Sequence, residues 1–196
     1  MCFAQAGFLV TVVDQDQAGI DRGLGTIRKN YDISVQRGRL SSDQVTGYLA
    51  NLEATTDWQA LEGADLIIEA VFENLELKQQ VFKQLDEICD ARTILASNTS
   101  YQSIDALAAV TNRPERVVGM HFFSPANVMR LLEVVRGGAS DDTTLTTAMA
   151  VGKQIGKVCV LSGMCYGFIG SRMLRHYVRE AALCVMEGAS PAQVDQ

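Results

Sequence analysis

The sequence predicts an α/β fold: a doubly wound, mostly parallel sheet followed by the start of an all-helical domain. Two observations lead there. Short β-branched apolar runs alternate with segments whose apolar residues recur every three or four positions, the pattern of strands joined by crossover helices. From Gly167 onward the strands cease, and a long amphipathic, Arg-rich helical pattern takes over.

The elements follow in order. Residues 1–6 read as the end of a helix with Gly7 as its C-cap. Phe8 to Val13, FLVTVV, reads as a buried strand ending at Asp14. Ile20, Leu24, Ile27, Tyr31 and Val35 mark one face of a long helix, and a second helix opens near Ser42. Ala64 to Val71 is the next strand and its exit. Asn74 is placed to cap a helix whose core face is Leu77, Val81, Leu85 and Ile88. Thr93 to Ala96 is a third strand running into Ser97-Asn98-Thr99-Ser100, and a short helix spans about 103–109. Val117 to Met120 leads into His121, and Leu131 to Val135 is a further apolar run. Ser140 or Asp141 opens a helix to about Ile155, Lys157 to Leu161 is the last strand, residues 167–187 are a long helix, and Pro191 starts another. The change of pattern near 162–166 divides the chain into an α/β domain over 1–164 and the beginning of a helical domain over 165–196.

Bulk properties exclude several classes. The 196 residues are 47% hydrophobic and 20% charged, an ordinary globular balance. A formal charge of -6 disfavours nucleic acid or an anionic membrane as the general partner, though not a small polyanion in a local basic pocket. The apolar runs are strand-sized, far short of the roughly 18 residues of a membrane span, and the N-terminus has no basic segment of the signal-peptide kind. The five cysteines form no CxxC pair and their odd number leaves no complete disulfide framework, so a reducing, cytoplasmic setting is expected. Cys159 and Cys165 could border a site but read more simply as structural thiols. Two histidines without ligand spacing give no metal site, and the absence of G-x-S-x-G leaves a serine hydrolase unsupported.

A dinucleotide-binding sheet of the Rossmann type normally opens with strand, G-x-G-x-x-G and helix, the glycines admitting the diphosphate to the helix N-terminus. No such motif stands in the right place. Gly23-Leu-Gly-Thr-Ile-Arg28 fails at the third glycine and lies inside the first long helix. What is present is the part that follows the motif, so the sheet is expected to lack its first strand and glycine loop. Asp14, after the first apolar run, sits where a carboxylate accepts hydrogen bonds from the adenine ribose and favours NAD over NADP. A turn-forming Asp would look the same.

The stretch Gly119-Met-His-Phe-Phe-Ser-Pro-Ala-Asn-Val-Met-Arg-Leu-Leu-Glu133-Val-Val concentrates the chemistry. His121 stands at a strand end, and Glu133 follows twelve positions later on the next apolar run. If the two runs pair, the carboxylate fixes the imidazole tautomer and raises the basicity of its other nitrogen, as proton removal from an alcohol requires. A core histidine beside a buried strand glutamate is the competing reading. His176, mid-helix beside Arg175 and Arg179, reads as a surface or subunit-contact residue.

Ala-Ser97-Asn98-Thr99-Ser100, His121-Phe-Phe-Ser-Pro, Leu-Glu133-Val-Val and Gly167-Phe-Ile-Gly-Ser-Arg172, in this order and at these intervals, resemble the L-3-hydroxyacyl-CoA dehydrogenase family. The likeness runs from Met1 to Asp195 and is greatest to the dehydrogenase part of bacterial multifunctional fatty-acid β-oxidation enzymes. It implies oxidation of an L-3-hydroxyacyl-CoA to the 3-oxoacyl-CoA, with NAD as cofactor. His121 would be the general base, Glu133 its orienting partner, and Ser100 a contact to substrate and nicotinamide. Asp14, Glu73, Lys78 and Ser124 would be cofactor contacts, and Asn30 and Arg37 contacts to coenzyme A. Locally, Glu73 and Lys78 also read as a solvated helix start, and the basic cluster Arg28, Lys29, Arg37 and Arg39 as a solvated face. Ser171 stands where the family has an Asn that positions the substrate carbonyl, Ser124 where an Asn is common, and Tyr166 where a small polar residue is usual. The shorter Ser171, without an amide donor, implies reduced activity. The resemblance also implies an acyl-CoA partner and either a homodimer or a multienzyme β-oxidation chain. Two alternatives stay open: a short-chain 3-hydroxybutyryl-CoA or other β-hydroxyacid dehydrogenase, and a catalytically impaired, truncated fragment or CoA-binding remnant.

Overall fold

A computed structural model describes residues 1–195. Chain order begins with helix α1 (Cys2–Gln5), strand β1 (Val10–Val13), helix α2 (Gln17–Gln36), helix α3 (Ser42–Ala50), strand β2 (Leu52–Thr55) and strand β3 (Leu66–Glu69). It continues through α4 (Leu75–Ile88), β4 (Ile94–Ser97), α5 (Ile104–Ala108), β5 (Val117–Phe122), β6 (Leu131–Arg136), α6 (Asp142–Gln154), β7 (Val158–Gly163), α7 (Gly170–Met186) and α8 (Pro191–Val194). Short 3-10 turns at Trp58–Leu61 and Pro114–Arg116 lead into β3 and β5.

Side-chain caps fix several helix starts. Asn74 accepts from the Leu77 N–H at 2.9 Å, Asp141 from Thr144, and Ser41 forms a reciprocal capping box with Gln44. The expected α/β alternation is present, and α7 covers most of the expected 167–187 helix. Strand β2 was not legible: Leu-Glu-Ala-Thr carries no apolar run and is a strand because it pairs with β1.

The sheet is in two parts. β1 and β2 form a parallel pair, while β3, β4, β5, β6 and β7 lie side by side in that order, parallel except for the antiparallel β5–β6 step. Two apolar cores cover the faces of the larger sheet. One gathers Phe82 and Leu85 of α4 with Leu107, Val117 and Phe168; the other gathers Met120, Leu132 and Val134 with Leu145 and Ala148 of α6.

One expectation is corrected. The run 8–13 was read as a buried strand, but the strand is only Val10–Val13 and Leu9 is 87% exposed. The reason is the divided sheet: only one edge of β1 is paired, and its other side opens on a cavity of about 920 Å³ that reaches β3.

Asp86 of α4 and Arg113 form a buried strut. The Arg113 Nε donates to Asp86 Oδ1 at 2.7 Å, and its terminal nitrogens donate to the Asp86, Cys89 and Asp90 carbonyls, tying α4 to the entry of β5. Removing one partner leaves the other charge uncompensated. Asp86→Ala is therefore expected to lower the unfolding free energy by about 3–5 kcal/mol in urea titration; a loss under about 1 kcal/mol would show that water replaces the pair.

Candidate active site

The antiparallel β5–β6 register places His121 directly opposite Glu133. Both side chains are buried, Glu133 completely. His121 Nδ1 lies 2.7 Å from Glu133 Oε2, and His121 Nε2 lies 3.2 Å from Ser100 Oγ. An ionised carboxylate can only accept, so Nδ1 carries the proton, and the Nε2 lone pair accepts from the Ser100 hydroxyl. The other carboxylate oxygen, Oε1, accepts from the backbone N–H groups of Ile169 (3.0 Å) and Gly170 (2.7 Å), at the N-terminus of α7. One buried anion thus joins two strands and the first turn of the long helix.

Packing holds that turn in place. A Cβ on Gly170 would lie 2.7 Å from Phe123 Cζ, and the Phe123 ring packs on His121 with centroids 4.6 Å apart. Phe168, buried and at φ 45°, presents its ring edge-on to His121 at 5.7 Å. A positive φ is costly for a bulky residue and is sustained by the surrounding contacts. It turns the chain so that the next two N–H groups reach Glu133.

Ser100 is set by a second cluster. Glu73 accepts from the Thr99 hydroxyl and from the N–H groups of Ser100 and Tyr101. Lys78, 1% exposed, donates to Glu69 at 2.8 Å and to the Val71 carbonyl at 3.2 Å, and lies 3.4 Å from Glu73. Glu69 also accepts from Ser97 Oγ at 2.7 Å and Val71 N–H at 2.6 Å. Asn98 Oδ1 accepts from the Phe122 N–H, tying the end of β4 to β5. Burial pushes the Glu73 carboxyl up from its ordinary 4.5, but the Thr99 hydroxyl, the Lys78 ammonium and the Tyr101 N–H outweigh it and hold the group below that value.

The structure brings His121, Glu133, Ser100 and Glu73 into one connected network, with Lys78 beneath it. Ser171, half-buried, follows Gly170 in the first turn of α7 and makes no side-chain hydrogen bond among the described residues. Ser124 is exposed just beyond β5. Asp14 is exposed after β1, and its Oδ1 accepts a long 3.4 Å bond from the Asp16 N–H. A Cβ on Gly19 would lie 2.6–2.7 Å from the Asp14 carboxylate, so this glycine lets the acid lean over the first turn of α2. Asn30 contacts Met1 Sδ at 3.9 Å, and Arg37 is exposed past the end of α2; among the described residues neither is linked to His121. Sequence reasoning quoted Ser97 and Asn98 within a motif but gave them, like Glu69, no role in the site. The acid at the end of a strand run in Leu66-Ile-Ile-Glu69 was the available signal for Glu69. The described residues include no cluster of metal-ligating side chains and no helix long and apolar enough to cross a membrane.

A sequence model of the 3-hydroxyacyl-CoA dehydrogenase NAD binding domain matches residues 1–165, and that of the C-terminal domain matches 167–196. The chain belongs to the 3-hydroxyacyl-CoA dehydrogenase family. It is 42% identical to a peroxisomal bifunctional enzyme of Danio rerio, over 98% of this chain and 26% of that protein. It is 39% identical to a probable 3-hydroxybutyryl-CoA dehydrogenase of Bacillus subtilis, over 98% of this chain and 68% of the relative. The crystal structure of an (S)-3-hydroxybutyryl-CoA dehydrogenase from Ralstonia eutropha superposes with a TM-score of 0.96 at 37% identity, over 98% of this chain and 68% of that one. This family member therefore spans about a quarter of its bifunctional relative and about two thirds of the single dehydrogenases. The match to the NAD binding domain identifies NAD as the cofactor type.

Two outcomes follow from the geometry. Gly170→Ala is expected to cost about 1–3 kcal/mol in urea unfolding, because the added methyl meets a ring already wedged against His121; a change under about 0.5 kcal/mol would mean that Phe123 swings aside. Because the Glu73 value is lowered in the folded state, its ionised form stabilises the fold above pH about 4.5, and that contribution is lost as pH falls through the folded value. Glu73→Gln should accordingly lose less stability than the parent between about pH 5 and pH 3. Parallel losses in the two proteins would remove Glu73 from the acid response.

Proposed function

We propose that this chain carries the catalytic dyad of an NAD-dependent oxidation of L-3-hydroxyacyl-CoA to 3-oxoacyl-CoA, with His121 as general base. The observation that carries the reading is the Glu133–His121–Ser100 chain, which leaves one imidazole nitrogen as acceptor at a site bordered by a hydroxyl. In the oxidation His121 Nε2 takes the proton of the substrate 3-hydroxyl, while Ser100 Oγ, released from that nitrogen, orients the oxygen. Glu133 stabilises the resulting imidazolium, and the two α7 N–H groups hold Glu133 still as charge develops. NAD supplies the hydride acceptor for C3.

The fit of the cofactor is uneven. Asp14, exposed and given room by Gly19, suits a ribose, and Ser100 and Glu73 lie beside the base where the nicotinamide belongs. The sequence provides no strand–G-x-G-x-x-G–helix for the diphosphate. Lys78, spent on Glu69 and Val71, acts on the cofactor side through Glu73. Coenzyme A binding is assigned to the α2 face with Asn30, Arg37 and the neighbouring basic residues, whose guanidinium groups suit phosphates. Ser171 takes the place of an amide donor to the substrate carbonyl and lowers turnover. The division at 164/165 separates cofactor and helical substrate domains, and the exposed Met173, Leu174, Tyr177 and Val178 of α7 are covered in a dimer or a longer multienzyme chain. The free cysteines suit a cytoplasmic setting.

The test is acetoacetyl-CoA reduction followed by NADH loss at several cofactor concentrations. His121→Asn should cut turnover about 10²–10⁴-fold, the range of a general acid–base group, with cofactor affinity unchanged. Near-parent turnover would remove His121 from the mechanism. Calorimetry should show weak NAD binding, and a low-micromolar Kd would contradict the reading of the diphosphate site. A steep preference for acetoacetyl-CoA over longer 3-oxoacyl-CoA substrates would favour the 3-hydroxybutyryl-CoA reading, which the B. subtilis relative's name supports.

A further inference from the structure

Three hydrogen bonds that hold the Ser100 turn converge on one atom. The Thr99 hydroxyl and the Ser100 and Tyr101 N–H groups all donate to Glu73 Oε1. Bonds that share a single acceptor pin a point and leave the turn free to rock about it. Across the site the start of α7 is held in the same way, with the Ile169 and Gly170 N–H groups both on Glu133 Oε1. Ser100 Oγ meets His121 Nε2 at 3.2 Å, the long end for a hydroxyl donor, so a small rotation of the turn breaks that contact.

A second tether fixes the angle. The Tyr101 ring reaches from the turn to Tyr166, with ring centroids 4.9 Å apart and planes 31° from parallel, a tilted stack. Tyr166 directly precedes Gly167 and Phe168, whose φ values of 74° and 45° make the reversal that aims the α7 amides at Glu133. Arg175 of α7 places its Cζ 5.5 Å from the centre of the Tyr166 ring, within cation–π reach. The two rings are 43% and 60% exposed, so core packing does not force them together. Their contact joins the Ser100 turn to the α7 reversal without passing through His121.

We propose that Tyr101 and Tyr166 are positioning residues of this site: their ring contact sets the angle of the Ser100 turn and so keeps the Ser100 hydroxyl on His121 Nε2. The role rests on the reaction proposed above, in which Ser100 orients the substrate oxygen. The rings that pack against the imidazole are Phe123 and Phe168, so the tyrosines act through Ser100 and not on the base directly.

The test reads the imidazole before turnover. In 15N spectra of the neutral ring, Ser100→Ala marks the Nε2 position without a donor. Tyr166→Ala should move the His121 Nε2 resonance toward that position and leave the protonated Nδ1 in place, whereas Tyr166→Phe, which keeps the ring, should move neither. Tyr166→Ala should also speed exchange of the Ser100 amide about two- to tenfold, the range for loss of an aromatic pair, with the β5 core amides unchanged. Tyr101→Ala should do the same to the Ile169 and Gly170 amides across the site, and the double variant should be no worse than either single one. An Nε2 resonance unmoved by Tyr166→Ala would overturn the proposal. So would a Tyr166→Phe spectrum like that of Tyr166→Ala, or exchange effects of the two single variants that multiply in the double one. In acetoacetyl-CoA reduction, Tyr166→Ala should lower kcat about tenfold with KM within about twofold of the parent. A parent without turnover would sink the dehydrogenase reading and leave the imidazole and exchange results to decide the role of the tyrosine pair.

Discussion

The Glu133 carboxylate is the interaction on which the candidate site depends. It is wholly buried, and an ion in that position is tolerated only when donors occupy its lone pairs. Three do: the imidazole N–H of His121 and the backbone N–H groups of Ile169 and Gly170. Each comes from a different constraint. The imidazole is delivered by antiparallel register, and the two amides by a chain reversal that forces Phe168 to positive φ. Helix α7 is thereby fastened to the β5–β6 strand pair through one side chain, so the orientation of His121 and the start of α7 are set together.

Buried charge elsewhere obeys the same rule. Lys78 lies among Glu69, Glu73 and the Val71 carbonyl, and Arg113 among Asp86 and three carbonyls. Neither cation is free to act as a mobile ligand-binding group. Lys78 compensates two carboxylates, one of which, Glu73, orders the Thr99–Tyr101 turn and so aims Ser100 at His121. The polar network behind the site is continuous from α4 to β5. Its effect is to hold the Ser100 hydroxyl and the His121 ring in one fixed geometry.

Much of this was legible in the sequence, and the part that was not has a physical cause. The strand runs and the helix faces follow from periodicity, and Asn74 and Asp141 from capping chemistry. The twelve-residue interval from His121 to Glu133 was suggestive, but pairing rests on register, which is set by packing rather than spacing. Lys78 and Glu69 could not be identified as a buried pair from local pattern, because charge on a helix start and on a strand end usually faces water. Strand β2 escaped because its four residues gain their conformation from β1. The division of the strands into a β1–β2 pair and the β3–β7 sheet became visible only from the pairing, which is set by hydrogen bonding rather than by local pattern.

The central claim, that Glu133 fixes the proton of His121 on Nδ1 and leaves Nε2 as the acceptor, is tested most directly by 15N NMR of the imidazole nitrogens at a pH where the ring is neutral. The account predicts a protonated Nδ1 and an unprotonated Nε2 for His121, a preference that is lost in Glu133→Ala. A parent spectrum with the proton on Nε2, or one unchanged by removal of the carboxylate, would contradict it.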